Sequence, residues 1–222
     1  MDTTARRTDA MELVRLVTLF NLHPERDLHP SWLPPEWPVR HRQLQQYGPA
    51  GKAVLADLLR NRAGMVPSEF SFDSRMRRLA LLDGSSLRRL AAYCGLCAHK
   101  PLFKVRGVSS QLRRVARRLD EDAVEFVVDR VPQLSELRME AGGLQERPLS
   151  TGRVVLNRGY RLLMAAVAPE GDATLRRVQR KLPRRVASLS IPALKPRQAA
   201  QLSEVMLLCI VPERLPQWDW LF

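Results

Sequence analysis

In this 222-residue chain, the segment whose residue types and spacing could do chemistry is Cys94-Gly95-Leu96-Cys97-Ala98-His99. Two thiols three residues apart with an imidazole close behind read as half of a zinc site, or as a redox pair. A structural zinc needs four N or S donors, and the second half is missing: Cys209 stands alone, and His23, His29 and His41 make no matching pair. Haem attachment would need the histidine directly after Cys97, where Ala98 stands instead. A thioredoxin-like role would need a βαβ setting, and no alternating strand pattern surrounds the motif. Both cysteines share a three-and-four stripe with Leu87, Leu90, Ala91 and Ala98, where a free thiol packs as a small hydrophobe. The expectation is core packing, with no metal and no cofactor.

Other chemical constellations are missing. The chain has no Gly-x-Ser-x-Gly elbow, no Walker loop, no dinucleotide glycine run and no His-Glu-x-x-His. Asp120, Glu121 and Asp122 could be imagined as paired carboxylates, but they read better as the solvated first turn of a helix. No catalytic residues are assigned, and an enzyme is the poorest class for this chain. Three cysteines are too few for a secreted disulfide framework, and no stretch approaches the roughly eighteen apolar residues that span a bilayer. A cytoplasmic protein is expected.

The more informative signal is charge. Lys plus Arg number 36 against 23 Asp plus Glu, for a net charge of +13, and 31 of the basic residues are arginine. The excess of Arg over Lys fits GC-rich codon usage; the net charge still needs a physical reason. Residues 75–118 carry net +11, 119–146 net −6 and 147–197 net +10, so two basic blocks flank an acidic one. Arg113, Arg114, Arg117 and Arg118 stand opposite the apolar stripe of Leu112, Val115, Ala116 and Leu119, and Arg176, Arg177, Arg180, Lys181, Arg184 and Arg185 form a second cluster. Such faces suit either nucleic acid or an acidic protein partner. With 6% aromatic residues, no RNA-module signature and no helix-turn-helix, the protein partner is favoured over a basic helical nucleic-acid binder.

Aromatic residues mark two further candidates for partner binding: Trp32 and Trp37 in a proline-rich stretch, and Trp218, Trp220 and Phe222 at the chain's end. For each group the competing reading is a ring packed into the protein's own body.

The elements that must position these residues read as helices, because apolar residues recur at three and four. Helices are expected at about 8–20, 50–61, 74–82, 151–168, 172–181 and 197–211. Two more run over 87–98, with Ser85 and Ser86 as cap candidates and Pro101 as the stop, and from 112 through 131, after Ser109 and Ser110 and ending at Pro132. Residues 154–167 are apolar nearly all round and should form a central helix. Pro24, Pro30, Pro34, Pro35 and Pro38 forbid a long helix and leave an irregular segment. At 45% hydrophobic residues, a chain of this length buries about 70% of its unfolded surface, enough for a core without staples. The fold class is all-α: a single compact multi-helix domain over 1–222, with a weak internal boundary near 142–148 at Gly142, Gly143 and Pro148.

The proline-rich stretch also carries a resemblance. Phe20-Asn21-Leu22-His23-Pro24-Glu25-Arg26-Asp27-Leu28-His29-Pro30-Ser31-Trp32-Leu33-Pro34 resembles the N-terminal signature of the SctK family, accessory proteins of bacterial type III secretion systems. Residues 28–34 are its most specific part. The run from Arg78-Leu79-Ala80-Leu81-Leu82 to Cys94-Gly95-Leu96 is a looser match, and residues 142–151 match nothing. The resemblance implies a mainly helical adaptor of the sorting platform at the cytoplasmic face of the inner membrane. It would stand between the cytoplasmic domain of the ring protein SctD and the pod protein SctQ, and connect through SctQ to the stator SctL and the ATPase SctN. It brings no catalytic residue and no cofactor.

Overall fold

Gly95 and Gly159 set the geometry at the centre of the molecule. The computed structural model describes residues 3–37, 43–63, 69–137 and 150–222. Its longer helices are α1 (Thr3–Leu22), α2 (Gly48–Ala63), α3 (Gly84–Ala98), α4 (Ser109–Leu119), α5 (Thr151–Val167), α6 (Asp172–Arg180) and α7 (Pro196–Glu204), and no strand occurs among the described residues. The fold is all-α. Helices α3 and α5 cross so closely that a Cβ on Gly159 would stand 1.7 Å from the Ala91 carbonyl oxygen, and one on Gly95 would stand 2.2 Å from that of Val155. Only glycine permits this approach, and it brings the backbones of the two most buried helices together.

Around that crossing the apolar stripes close into one large core. Leu87, Leu90, Cys94 and Cys97 from α3, Leu112 and Ala116 from α4, and Leu162, Leu163 and Val167 from α5 are all essentially inaccessible. Each fully buried aliphatic side chain contributes about 1.5–3 kcal/mol relative to exposure. Tyr93 and Phe126 meet edge to face within this core, centroids 5.3 Å apart. A smaller apolar cluster lies apart from it: Leu28, Leu33 and Trp37 from the proline-rich segment pack on Leu55 and Leu59 of α2. Within the described part of that segment only Pro30–Trp32 forms a helical turn, of 3-10 type, as the prolines require.

Several element boundaries differ from the expectation. Asp83, not Ser85 or Ser86, caps α3, accepting from the Ser86 backbone N–H at 2.8 Å. Burial works against ionising Asp83, but bonds from Ser85 and Ser86 outweigh it and hold the carboxyl below its ordinary range. Ser109 and Ser110 open α4 from inside rather than capping it. The helix expected through 131 breaks at Asp120, whose backbone is extended (φ −152°, ψ 151°). That turn carries its carboxylate to Arg89, at 2.6 Å, and to the Tyr93 hydroxyl. The chain then restarts at Ala123–Glu125 and ends in a π-helical turn, Phe126–Arg130, before Pro132. The helix expected over 74–82 is split into Arg75–Arg78 and a 3-10 turn, Leu79–Leu81. After α7, a π-helical turn at Val205–Ile210 leads into Val211–Arg214. Pro212 has no N–H for the Leu208 carbonyl, and the helix widens just ahead of it. The boundary expected near 142–148 lies outside the described residues.

Candidate protein-docking site

The arginine face expected on α4 stands where the helical spacing put it. Leu112 and Ala116 point into the core at 0% exposure, Arg113 is half-buried, and Arg114, Arg117 and Arg118 are exposed. Among the described residues none of the four has an ion-pair partner. Three carboxylates of the acidic block that follows are engaged with other arginines. Asp120 holds Arg89 at 2.6 Å, Asp122 holds Arg214 at 2.7 Å, and Glu125 holds Arg130 at 2.8 Å. The Asp122 bond to Arg214 lowers that carboxyl's pKa. Asp120 is therefore an ion-pair partner at the end of α4, while Asp122 pairs with Arg214 and still stands half-exposed at the start of Ala123–Glu125, as a solvated first turn would have it. Arg214 in turn lies over the Phe126 ring, 4.2 Å from its centroid. Burial, joined by the bond to Asp120, pushes the Tyr93 phenol well above its usual range.

Next to this face, α3, α4 and α5, with Leu215 and Gln217 of the C-terminal segment, border a cleft of about 600 Å³. Its floor is aliphatic, from Ala92, Leu96, Val115, Leu119, Val155 and Leu156, and its rim carries Arg88, Arg89 and Arg118, with no carboxylate among the described residues that line it. Arg88 is exposed and, among the described residues, unpaired. These lining positions come from three helices far apart in the chain, and sequence reading missed them. The signal available was Gly95 and Gly159, whose small size draws α3 and α5 together.

The second basic cluster is divided. Arg176, Arg184 and Arg185 are exposed, but Arg177 and Lys181 turn inward. Lys181 donates to the Leu82 carbonyl at 2.8 Å and lies 3.2 Å from Asp27, while burial lowers its pKa. Arg177 donates to the Phe20 carbonyl and covers that ring at 4.9 Å; burial, joined by neighbouring Arg180, brings its pKa down to about 10. This half of the cluster fastens the N-terminal segment to the body.

The residues of the SctK-like signature serve the same attachment. The carbonyls that end α6 have no partner within the helix. The His29 N–H donates to Arg180 at 2.9 Å, and the Trp32 indole N–H donates to Gln179 at 3.2 Å and Leu182 at 2.8 Å. Ser31 accepts from the Arg184 backbone N–H at 2.8 Å. Trp37 is buried in the smaller cluster. At the other terminus Trp218, Trp220 and Phe222 are half-buried against the main core, and the Trp218 indole donates to Ser86 Oγ at 2.9 Å. The Arg78 guanidinium donates to the Leu221 carbonyl at 2.9 Å and ties down the chain's end.

Cys94 and Cys97 are 0% and 1% exposed. Burial, joined by the neighbouring Cys209, pushes the Cys97 thiol up to about 12, and burial raises Cys94 as well. They pack as core residues, and His99 beside them is buried with Nδ1 2.7 Å from the Gly95 carbonyl. Among the described residues no group of metal-ligating side chains gathers, and no helix is long and apolar enough to cross a membrane.

No curated protein and no solved structure matches the chain significantly. The model of the family described as YOP proteins translocation protein K (YscK) matches residues 17–219, from the middle of α1 to the C-terminal aromatic turn. That span takes in the signature at 28–34, the α3–α5 crossing and the basic face. The chain belongs to the YscK family, the SctK family of type III secretion proteins.

Proposed function

We propose that this chain is a non-enzymatic adaptor of the type III secretion sorting platform, working at the cytoplasmic face of the inner membrane. It would link the cytoplasmic domain of the ring protein SctD to the pod protein SctQ, and through SctQ to the stator SctL and the ATPase SctN. Family membership over residues 17–219 carries the reading. The unpaired arginines of α4 support it, since an exposed cationic face orients and accelerates docking of an acidic partner. The two thiols that might have suggested chemistry are core residues, consistent with an assembly role. The cation face is therefore the proposed docking surface, with Arg113, Arg114, Arg117 and Arg118 at its centre.

The test is deletion in the source bacterium, with the assembled apparatus imaged. The membrane rings should remain while pods and ATPase are lost from beneath them, and secretion should stop. Purified chain should bind SctQ or the SctD cytoplasmic domain. A deletion strain that secretes normally with its pods in place would refute the assignment.

A further inference from the structure

We infer that the cleft between α3, α4 and α5 seats an acidic amphipathic helix of a partner protein, giving the adaptor reading, on which this rests, a specific anchor. The cleft joins an aliphatic floor to a cationic rim. Leu96, Val115 and Val155 offer apolar contact that an arginine face alone lacks, while Arg88 and Arg118 stand above them without carboxylate partners among the described residues. Arg89, the third rim arginine, is already held by Asp120 at 2.6 Å. A basic segment would be repelled by this rim, and an uncharged one would leave the two free guanidinium groups unmatched. A segment with aliphatic anchors along one stripe and Asp or Glu beside them satisfies both.

Helix is the form that fits. Three helices supply most of the wall, with Leu215 and Gln217 closing one side, and the ridges of a further helix can enter the groove between them, as in helix-in-groove recognition. The volume, about 600 Å³, takes a few anchoring side chains and not a folded domain. Single-stranded nucleic acid fits less well, because binding it relies on stacking bases on aromatic rings, and among the described residues no aromatic side chain lines this cleft.

The test is a selection on the purified full-length chain from a phage-displayed library of random helical peptides of about 18 residues. Enriched peptides should carry aliphatic residues at three-and-four spacing with Asp or Glu beside them. Their synthetic copies should bind about tenfold more weakly to the Arg88→Glu, Arg118→Glu double variant, and to Ala92→Trp, which fills the cleft. The exposed charge variants decide the matter if Ala92→Trp fails to fold. Enrichment of basic or neutral peptides, binding indifferent to both variants, or no enrichment overturns the inference. Displacement of selected peptides by single-stranded RNA, with RNA the tighter ligand, overturns it in favour of nucleic acid. No secretion component enters the selection, so its failure is separable from a failure of SctD and SctQ binding.

Discussion

The Trp32 indole N–H lies 2.8 Å from the Leu182 carbonyl, across 150 residues of sequence, and joins the proline-rich segment to the end of α6. The same N–H reaches Gln179 at 3.2 Å, so one donor serves two carbonyls. Trp32→Phe keeps most of the ring and removes only the donor. It should destabilise the protein by about 1–2 kcal/mol in urea denaturation, the cost of leaving the part-buried Leu182 carbonyl unsatisfied, since the Gln179 carbonyl keeps the Leu182 backbone N–H. A variant as stable as the wild type would mean that water takes the donor's place.

The glycine crossing makes a sharper prediction. Gly159→Ala places a methyl group against the Ala91 carbonyl, where neither backbone can give, and should cost more than about 3 kcal/mol or prevent folding. Gly152→Ala in the same helix meets nothing nearer than Val115 Cγ2 at 3.7 Å, and should be neutral or stabilising by up to about 1 kcal/mol. Thermal melts of the two variants check the contrast, and equal effects would disprove the close crossing.

Thiol chemistry should follow burial. In the native protein an alkylating reagent should modify Cys209, which is part-exposed, and spare Cys94 and Cys97 until the chain is unfolded. Replacing both buried thiols with Ala should cost about 1–3 kcal/mol of packing without loss of partner binding. Stoichiometric zinc in the purified protein, with unfolding on chelation, would reverse the assignment.

His99 predicts a pH dependence. Burial lowers its pKa below 6.5, and the Gly95 carbonyl offsets this only in part. The unfolded chain therefore binds the proton more readily than the folded one. The stability from a neutral His99 is fully present above pH 6.5 and is lost as pH falls through that value toward the folded pKa. His29, also lowered by burial, adds a change of the same sign. Melting temperature should drop between pH 7.5 and 5, and His99→Gln should flatten part of that slope. Parallel curves for wild type and variant would exclude the histidine as the cause.

Exchanging Arg113, Arg114, Arg117 and Arg118 for Glu should slow or weaken association with SctD or SctQ while leaving the circular dichroism spectrum unchanged. Undiminished binding would assign this face to solvation.

What could be read in the sequence was whatever depends on spacing along one helix. The apolar stripes of α3 and α4, the all-round apolarity of α5 and the proline bar on helix near Trp32 each follow from residues within a few turns of one another. The breaks did not follow. Asp120 leaves the helix because Arg89 and Tyr93, some thirty residues earlier, take its carboxylate, and such a partner has no local trace. Asp83 was passed over as a cap because two serines beside it are equally good caps by type. Lys181 and Arg177 looked like members of a surface cluster, because nothing in their own helix shows that Asp27 and Phe20 lie over them. The cleft was invisible for the same reason, its floor being drawn from three separate stretches.

The α3–α5 crossing also bears on how this protein can drift over evolutionary time. Gly95 and Gly159 each abut the opposite backbone, so a larger residue at either becomes tolerable only after the two helices have parted. Leu96 and Val155, which floor the cleft, are carried on those same helices. A lineage that lost one glycine would reshape its cleft in the same step. The two positions should therefore be inherited together, and their loss should coincide with a change in the partner segment that the cleft accepts.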